Sequence, residues 1–329
     1  MDNTVDRKAP AASKVPFNTR MRNEARARST LIALAGVLIL VMIFTGLQSD
    51  VFFTLKNFRN ILAQVSVLTV VAIGTTLLMV AGLIDLSIGS MISLVGVVAG
   101  LLMVAGYPLW LALLVPLLFA AALGAGNGVL AAWSPSHPFV VTLGMSILFQ
   151  GVAIGLSDGK PISGLYEQFN TLSRTNLFVG LPVPVWMAMG VALMGAAILN
   201  FTVFGRHLYS IGGNEQAARL AGVRVRWTKV AVYSLNGLLV GLAALMLSSR
   251  ISSAQPWMGQ GYELQAIAAV AVGGTPLAGG RGGILGTLLG VLLLGVISNA
   301  LNLLGISGAF QYILEGLVIV VAVMTQRRQ

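Results

Sequence analysis

Few side chains in this chain can do chemistry, and most of them stand inside apolar runs. Asp85 ends one such run, Glu315 lies deep in another, and Asn127, Thr142, Asn299, Asn302 and Gln311, together with Gln64, add uncharged polar groups. An ionised carboxylate in hydrocarbon costs about 2.5 to 3.5 kcal/mol on insertion scales. Asp85 therefore either faces a wet pathway or caps the helix that Leu86, Ser87 and Gly89 open. Glu315 is expected to face the bundle interior or a subunit contact. Amide and hydroxyl side chains can exchange hydrogen bonds with a neutral polyhydroxylated solute without holding it tightly. The competing account for any one of them is an interhelical bond worth roughly 0.6 kcal/mol. As a set they suggest a neutral polar cargo, and the scarcity of charge inside the spans argues against an ion pathway or proton relay.

Other chemistries are disfavoured by what the residues are. There is no cysteine, and His137 and His207 are far apart in sequence, so no metal centre is expected. A phosphate-cradling loop ends in Gly-Lys-Ser/Thr, yet the only Gly-Lys, Gly159 with Lys160, runs into Pro161. The chain is thus not expected to hydrolyse ATP, to need a cofactor or to act as an enzyme. No HExxH helix is present. The glycine-rich strings at Gly124 to Gly128 and Gly279 to Gly283 lack strand context and a lysine, which leaves helix packing or a tight turn.

The elements that carry these residues follow from composition. With 57% hydrophobic and 9% charged residues and a mean hydropathy of +0.89, the chain is an all-α polytopic membrane protein. Apolar windows predict about ten transmembrane helices, near 31–48, 60–82, 86–106, 108–132, 139–157, 183–203, 229–249, 264–279, 283–304 and 309–325. Ten crossings place both termini on one side. If that side is the cytosol, it receives 15 of the 20 Lys and Arg residues, which explains the net charge of +10 without nucleic acid. Residues 1–30 read as a basic, irregular cytosolic tail before a retained first span. Val51 to Leu62 reads as an interfacial helix. The loop 158–182 reads as external, either receiving a partner or folding as a lid on its own helices. Two stretches, AIGTTLLMVAGLIDLSIGS from Ala72 and AVAVGGTPLAGGRGGILGT from Ala269, resemble one another, a weak internal repeat of the kind that marks a duplicated transporter with interrupted helices.

One polar insert, GRHLYSIGGNEQAARLAGVRVRWTK from Gly205 to Lys229, lies between spans. Asn214 is a good N-cap, Glu215 falls in the first turn with Arg219 four residues on, and Gly222 supplies a stop. The short helix so defined is expected to expose Ala217, Ala218, Leu220 and Ala221, a small surface suited to a partner's groove.

These residues carry a resemblance. The strings NFRNILAQVSV from Asn57, GLIDLSIGS from Gly82, PFVVTLGM from Pro138, GRHLYSIGGNEQAARLAGV from Gly205, GYELQAIAAVAVGGTPLAGGRGGILGT from Gly261 and NALNLLGIS from Asn299 resemble the permease subunit of bacterial ABC sugar importers of the ribose type. The likeness covers nearly everything beyond residue 30. It implies a transmembrane permease domain over 31–329 in the bacterial inner membrane, carrying a ribose-like monosaccharide. It also implies three partners: a second permease subunit, identical or paralogous, a cytosolic ATP-binding subunit and an extracytoplasmic sugar-binding protein. The loop 204–229 would hold the coupling helix, with Gly213, Asn214, Glu215, Ala217, Ala218, Arg219, Leu220 and Gly222 as the ATPase-coupling residues. Asp85, Asn127, Thr142, Asn299, Asn302 and Gln311 are the candidate pathway residues. Glu315 departs from the family pattern, so no general role passes to it. The rival readings are a secondary transporter or channel, and an integral membrane enzyme without a visible catalytic constellation.

Overall fold

The computed structural model describes residues 17–134, 136–307, 309, 310, 313, 316 and 317, with side chains from residue 31. Twelve α-helices are defined among them: α1 Phe17–Gln48, α2 Leu55–Val80, α3 Ile88–Val104, α4 Leu109–Trp133, α5 Pro138–Ser157, α6 Glu167–Leu172, α7 Val183–Phe201, α8 Val203–Gly213, α9 Glu215–Leu220, α10 Val225–Ile251, α11 Tyr262–Val272 and α12 Ile284–Leu303. Extended pairing among the described residues is limited to two isolated bridges, Ile162 with Ala254 and Asn176 with Pro182. Seven helices are long and apolar enough to cross a bilayer, and α3 and α11 are shorter apolar helices. Each of the first nine expected spans coincides with one of these nine. The tenth, 309–325, lies largely outside the described residues, as do Gln311 and Glu315.

Three boundaries differ from the sequence expectation. Residues 17–30 are helical and continuous with the first span, because no proline or glycine interrupts the chain after Pro16 until Gly36. The segment around Val51 to Leu62 is not a separate interfacial helix. Thr54 caps α2, its Oγ1 accepting the Asn57 N–H at 3.3 Å, and the first turn of α2 buries Asn57 beside Phe52. Finally, α11 stops at Val272, and residues 273–283 are non-helical, with positive φ at Gly274, Gly279, Gly280 and Gly282.

The core is organised around α2, whose span is 83% buried, against 6% for α1 and 17% for α5. Those two helices leave wide apolar faces for lipid or a second subunit. Apolar burial gives little drive between helices in lipid, so close backbone approach must supply packing energy. The string Gly124 to Gly128 does this on α4: a Cβ at Gly124 would strike the Tyr233 carbonyl and come within 3.0 Å of Gly237 Cα on α10. Of the two readings for that string, helix packing is the one observed.

The loop 158–182 folds as a lid. Ile162 and Ala254 exchange backbone hydrogen bonds at 2.8 and 2.9 Å, Ser249 Oγ donates to Phe169 O at 2.6 Å, and Phe169 of α6 is buried. Its tip, Phe178 and Val179, remains exposed.

Candidate functional site

At one end of the bundle, α8 and α9 form a compact polar element. Asn214 ends α8 and caps α9, its Oδ1 accepting the Ala217 N–H at 2.9 Å. Gly222 turns the chain at φ 86°, which lets the Val223 N–H reach Ala218 O at 3.0 Å. Glu215 accepts from Arg219 at 3.2 Å and from Lys229, at the start of α10, at 2.9 Å. Burial pushes the Glu215 carboxyl up, but the hydrogen bond and charge of Lys229 and then the charge of Arg219 outweigh it, and the group titrates below its ordinary value. The element is thereby fixed to the long helix α10, whose first turn also packs Trp227 edge-on to Trp133 of α4.

The outer face of α9 carries Ala217, Leu220 and Ala221, with Leu220 91% exposed. Ala218 corrects the sequence expectation. It points inward and is buried with Ile211 and Val225, because in a six-residue helix only one face can cover the α8 to α10 corner. Gly213, Asn214 and Arg219 are exposed as well, and Gly222 lies on the surface as the turn residue.

The same end holds both interrupted segments. After Val80 the chain leaves α2 at Gly82 (φ 72°) and resumes helix at Ile88, so the break lies downstream of Gly74 to Thr76, which stay inside α2. Gly280, in the break after α11, donates its N–H to Val80 O at 2.9 Å. Gly212 of α8 lies against both, so that a Cβ there would collide with Val80 O and Gly280 N. A third tie is the Thr76 to Thr287 hydroxyl pair at 2.7 Å, between α2 and α12.

Three of the candidate pathway residues converge on the first break. Asp85 Oδ1 accepts from Ser87 N at 2.9 Å and Ser87 Oγ at 2.6 Å, and Asp85 Oδ2 accepts from Asn236 Nδ2 at 3.2 Å. Asn127 Nδ2 donates to Ser87 Oγ at 2.7 Å, and Thr142 Oγ1 accepts the Leu86 N–H at 3.2 Å. Asp85, Asn127 and Thr142 are all buried, so they fasten the break to α4, α5 and α10. Asn299 pairs reciprocally with Asn57 at 2.9 and 3.0 Å, joining α12 to α2. Asn302 is exposed near the end of α12. Gln311 is outside the described residues.

A further feature escaped the sequence reading. Between α10 and α11, residues 253–261 run back along α3 without forming a helix. Ala254 lies beside Gly100, Met258 beside Gly96, and Gly259 beside Gly89. Irregular backbone at membrane depth persists only where protein satisfies its polar groups or where it lines a cavity. Both conditions hold here. Gly259 N donates to Ser93 Oγ at 3.0 Å and Gln150 Nε2 donates to Pro256 O at 2.7 Å. Beside this segment is a cleft of about 420 Å³ lined by Ser90, Ser146, Gln150, Trp257, Gln260 and Glu263, with Ile147, Gly151 and Ile154. Glu263 Oε1 accepts the Gly261 N–H at 3.3 Å, while its Oε2 is buried without a partner. The signal that could have found this was on α3: Gly89, Gly96 and Gly100 share one helical face, which invites another backbone to approach.

A multi-pass helical bundle with two interrupted segments, joined to a capped polar element at one end, has the architecture of a membrane transport subunit. Residues 57–323 match the family model described as branched-chain amino acid transport system, permease component, and the chain belongs to that family. It is 42% identical over 301 residues to the ribose import permease protein RbsC of Escherichia coli strain K12, covering 90% of this chain and 93% of that one. The RbsC of Bacillus subtilis strain 168 is 41% identical over 296 residues, covering 89% and 91%. The D-allose transport system permease protein AlsC of Escherichia coli strain K12 is 33% identical over 321 residues, covering 97% of each chain.

Proposed function

We propose that the chain is the pore-forming permease subunit of an ATP-driven monosaccharide importer in the bacterial cytoplasmic membrane. Two permease subunits form the pathway, a cytosolic ATP-binding subunit docks on α9, and an extracytoplasmic sugar-binding protein delivers cargo to the face bearing the lid 158–182. The observation that carries this reading is the build of α8 and α9. Ala217, Leu220 and Ala221 are exposed on α9 beside Gln216 and Arg219, Glu215 of α9 is ion-paired to Lys229 of α10, and Gly212 of α8 lies against both helix breaks. A ligand or motor shifts a conformational equilibrium only through differential affinity for its two states, so a docked element must be stiff and must touch what moves. On the ten-span topology read from the sequence, 15 basic residues fall on the α9 side against five on the other, which supports both termini and α9 being cytosolic.

The family description names branched-chain amino acids, whereas the relatives just cited are named for ribose and D-allose. The sugar reading has the greater weight, since those relatives align along 89% or more of both chains. A secondary transporter would need a wet ionisable group for coupling; Asp85 is buried among donors from Ser87, Asn127 and Asn236, and Glu263 is left as the ionisable side chain on the cleft, a rival that the liposome experiment separates.

Reconstitution in liposomes tests the proposal. Uptake of D-ribose or D-allose that requires the ATP-binding subunit, the binding protein and internal ATP is the expected result. Gradient-driven uptake by the permease alone would contradict it.

A further inference from the structure

The cleft bounded by α3, α5, α11 and residues 253–261 is not among the residues that the sequence reading assigned to transport. We propose that it is the transit site for the sugar inside the permease, a subsite that rests on the importer reading above. Its volume, about 420 Å³, falls in the range of roughly 300 to 1,000 Å³ usual for small-molecule sites. Its chemistry is selective. Ser90, Ser146, Gln150 and Gln260 offer hydroxyl and amide groups that can each donate and accept, Glu263 adds acceptor-only oxygens, and Trp257, half-exposed, supplies an apolar ring. Vicinal hydroxyls of a pyranose or furanose pair with amide and carboxylate groups, and the ring's C–H face packs on an indole.

The lining also bears on the cargo class. A zwitterionic amino acid would need a cationic partner for its carboxylate, and Glu263 is the one ionisable side chain among the lining residues. A neutral polyol brings no charge of its own that would need a partner.

Two independent features show a built site. Glu263 lines the cleft, and its Oε2 is buried without a partner against Gly89, a costly arrangement for a carboxylate oxygen. Gly89 makes room for it: a Cβ there would collide with Glu263 Oε2 and Gly259 O. The second feature is the interruption itself. Residues 253–261 replace about half a membrane helix, and transporters place such broken segments where a substrate is coordinated. The site also adjoins the first break, since Ser90 Oγ donates to Ser87 O at 2.9 Å next to Asp85. A displacement of that break is therefore felt directly at the cleft.

The test uses the full complex and two sugars, D-ribose and D-allose. Gln150→Leu, Gln260→Leu and Glu263→Gln are expected to change the ratio of their uptake rates by about tenfold, the usual effect of deleting one or two hydrogen bonds to bound ligand. Misfolding scales both sugars alike and leaves the ratio fixed. Because the chain has no cysteine, Ser146→Cys provides a single label, and its modification by a maleimide should slow several-fold when binding protein and sugar are supplied. An unchanged ratio in all three variants overturns the assignment, and if they fail to insert, unprotected labelling does so. Should the wild-type complex move neither sugar, the importer reading falls first and the cleft assignment with it.

Discussion

The backbone N–H of Gly280 donates to the carbonyl of Val80 at 2.9 Å, and this bond joins the helix break after α11 to the break after α2. Gly212, at the end of α8, is wedged against both groups. One backbone junction thus links the element proposed to meet the ATP-binding subunit with both interrupted segments. Gly212→Val should be badly tolerated, because the obstructing atoms are backbone rather than flexible side chain. Overpacking of this kind costs about 1 to 3 kcal/mol. The expected outcome is a fall of at least about tenfold in sugar uptake, with the protein still inserted and still binding the ATP-binding subunit in a co-purification assay.

The two faces of α9 predict opposite failures. Leu220 is exposed and free to be buried by a partner, which would be worth about 1.5 to 3 kcal/mol. Leu220→Asp should weaken association with the ATP-binding subunit by roughly 10- to 100-fold in a titration, while leaving the permease's thermal midpoint unchanged. Ala218→Trp should lower that midpoint instead, since Ala218 is packed beneath the helix against Ile211 and Val225.

Acid should loosen the same element. The Glu215 carboxyl titrates below its ordinary value of 4.5, with burial opposing and the Lys229 bond and charge, then the Arg219 charge, prevailing. A depressed folded value means that the pairing contributes in full above 4.5 and is lost as pH falls through the folded value. The protection of α9 amides against hydrogen exchange, relative to unfolded amides at the same pH, is expected to fall below pH 4.5 in the wild type, and Glu215→Gln should show the reduced protection already at pH 7. Exchanging the pair, Glu215→Arg with Arg219→Glu, should not restore order, because it sets a guanidinium against Lys229.

Asp85 and Asn299 separate a fastening role from a transport role. Asp85→Ala strips acceptors from Ser87 and Asn236, and each orphaned buried donor costs about 1 to 3 kcal/mol. A clear drop in the detergent melting temperature is expected. Asn299→Leu unpairs Asn57 in the same way and should destabilise comparably, while the ratio of D-ribose to D-allose uptake stays fixed.

Much of this architecture is legible in the residues. Apolar runs locate nine helices, with the starts of α1 and α2 and the end of α11 displaced by five residues or more, and Asn214, Glu215, Arg219 and Gly222 write α9 by local rules of capping and charge. Burial on α9 was not legible, because which face of a short helix turns inward depends on α8 and α10. The first break was legible as the gap between the expected spans 60–82 and 86–106, and Gly74 lies inside α2, packed on Asn236. Residues 253–261 fall between the expected spans, and nothing local reveals that they descend along Gly89, Gly96 and Gly100. Long-range approach of backbones leaves only glycine spacing as its trace.

The measurement that bears most directly on the coupling role of α9 is the labelling of Leu220→Cys, the only thiol in the chain, with a membrane-impermeant maleimide. The expected result is modification in inside-out vesicles, none in intact cells, and protection when the ATP-binding subunit is added. Modification in intact cells, or equal labelling with and without that subunit, would contradict a cytosolic α9 that grips the ATP-driven partner.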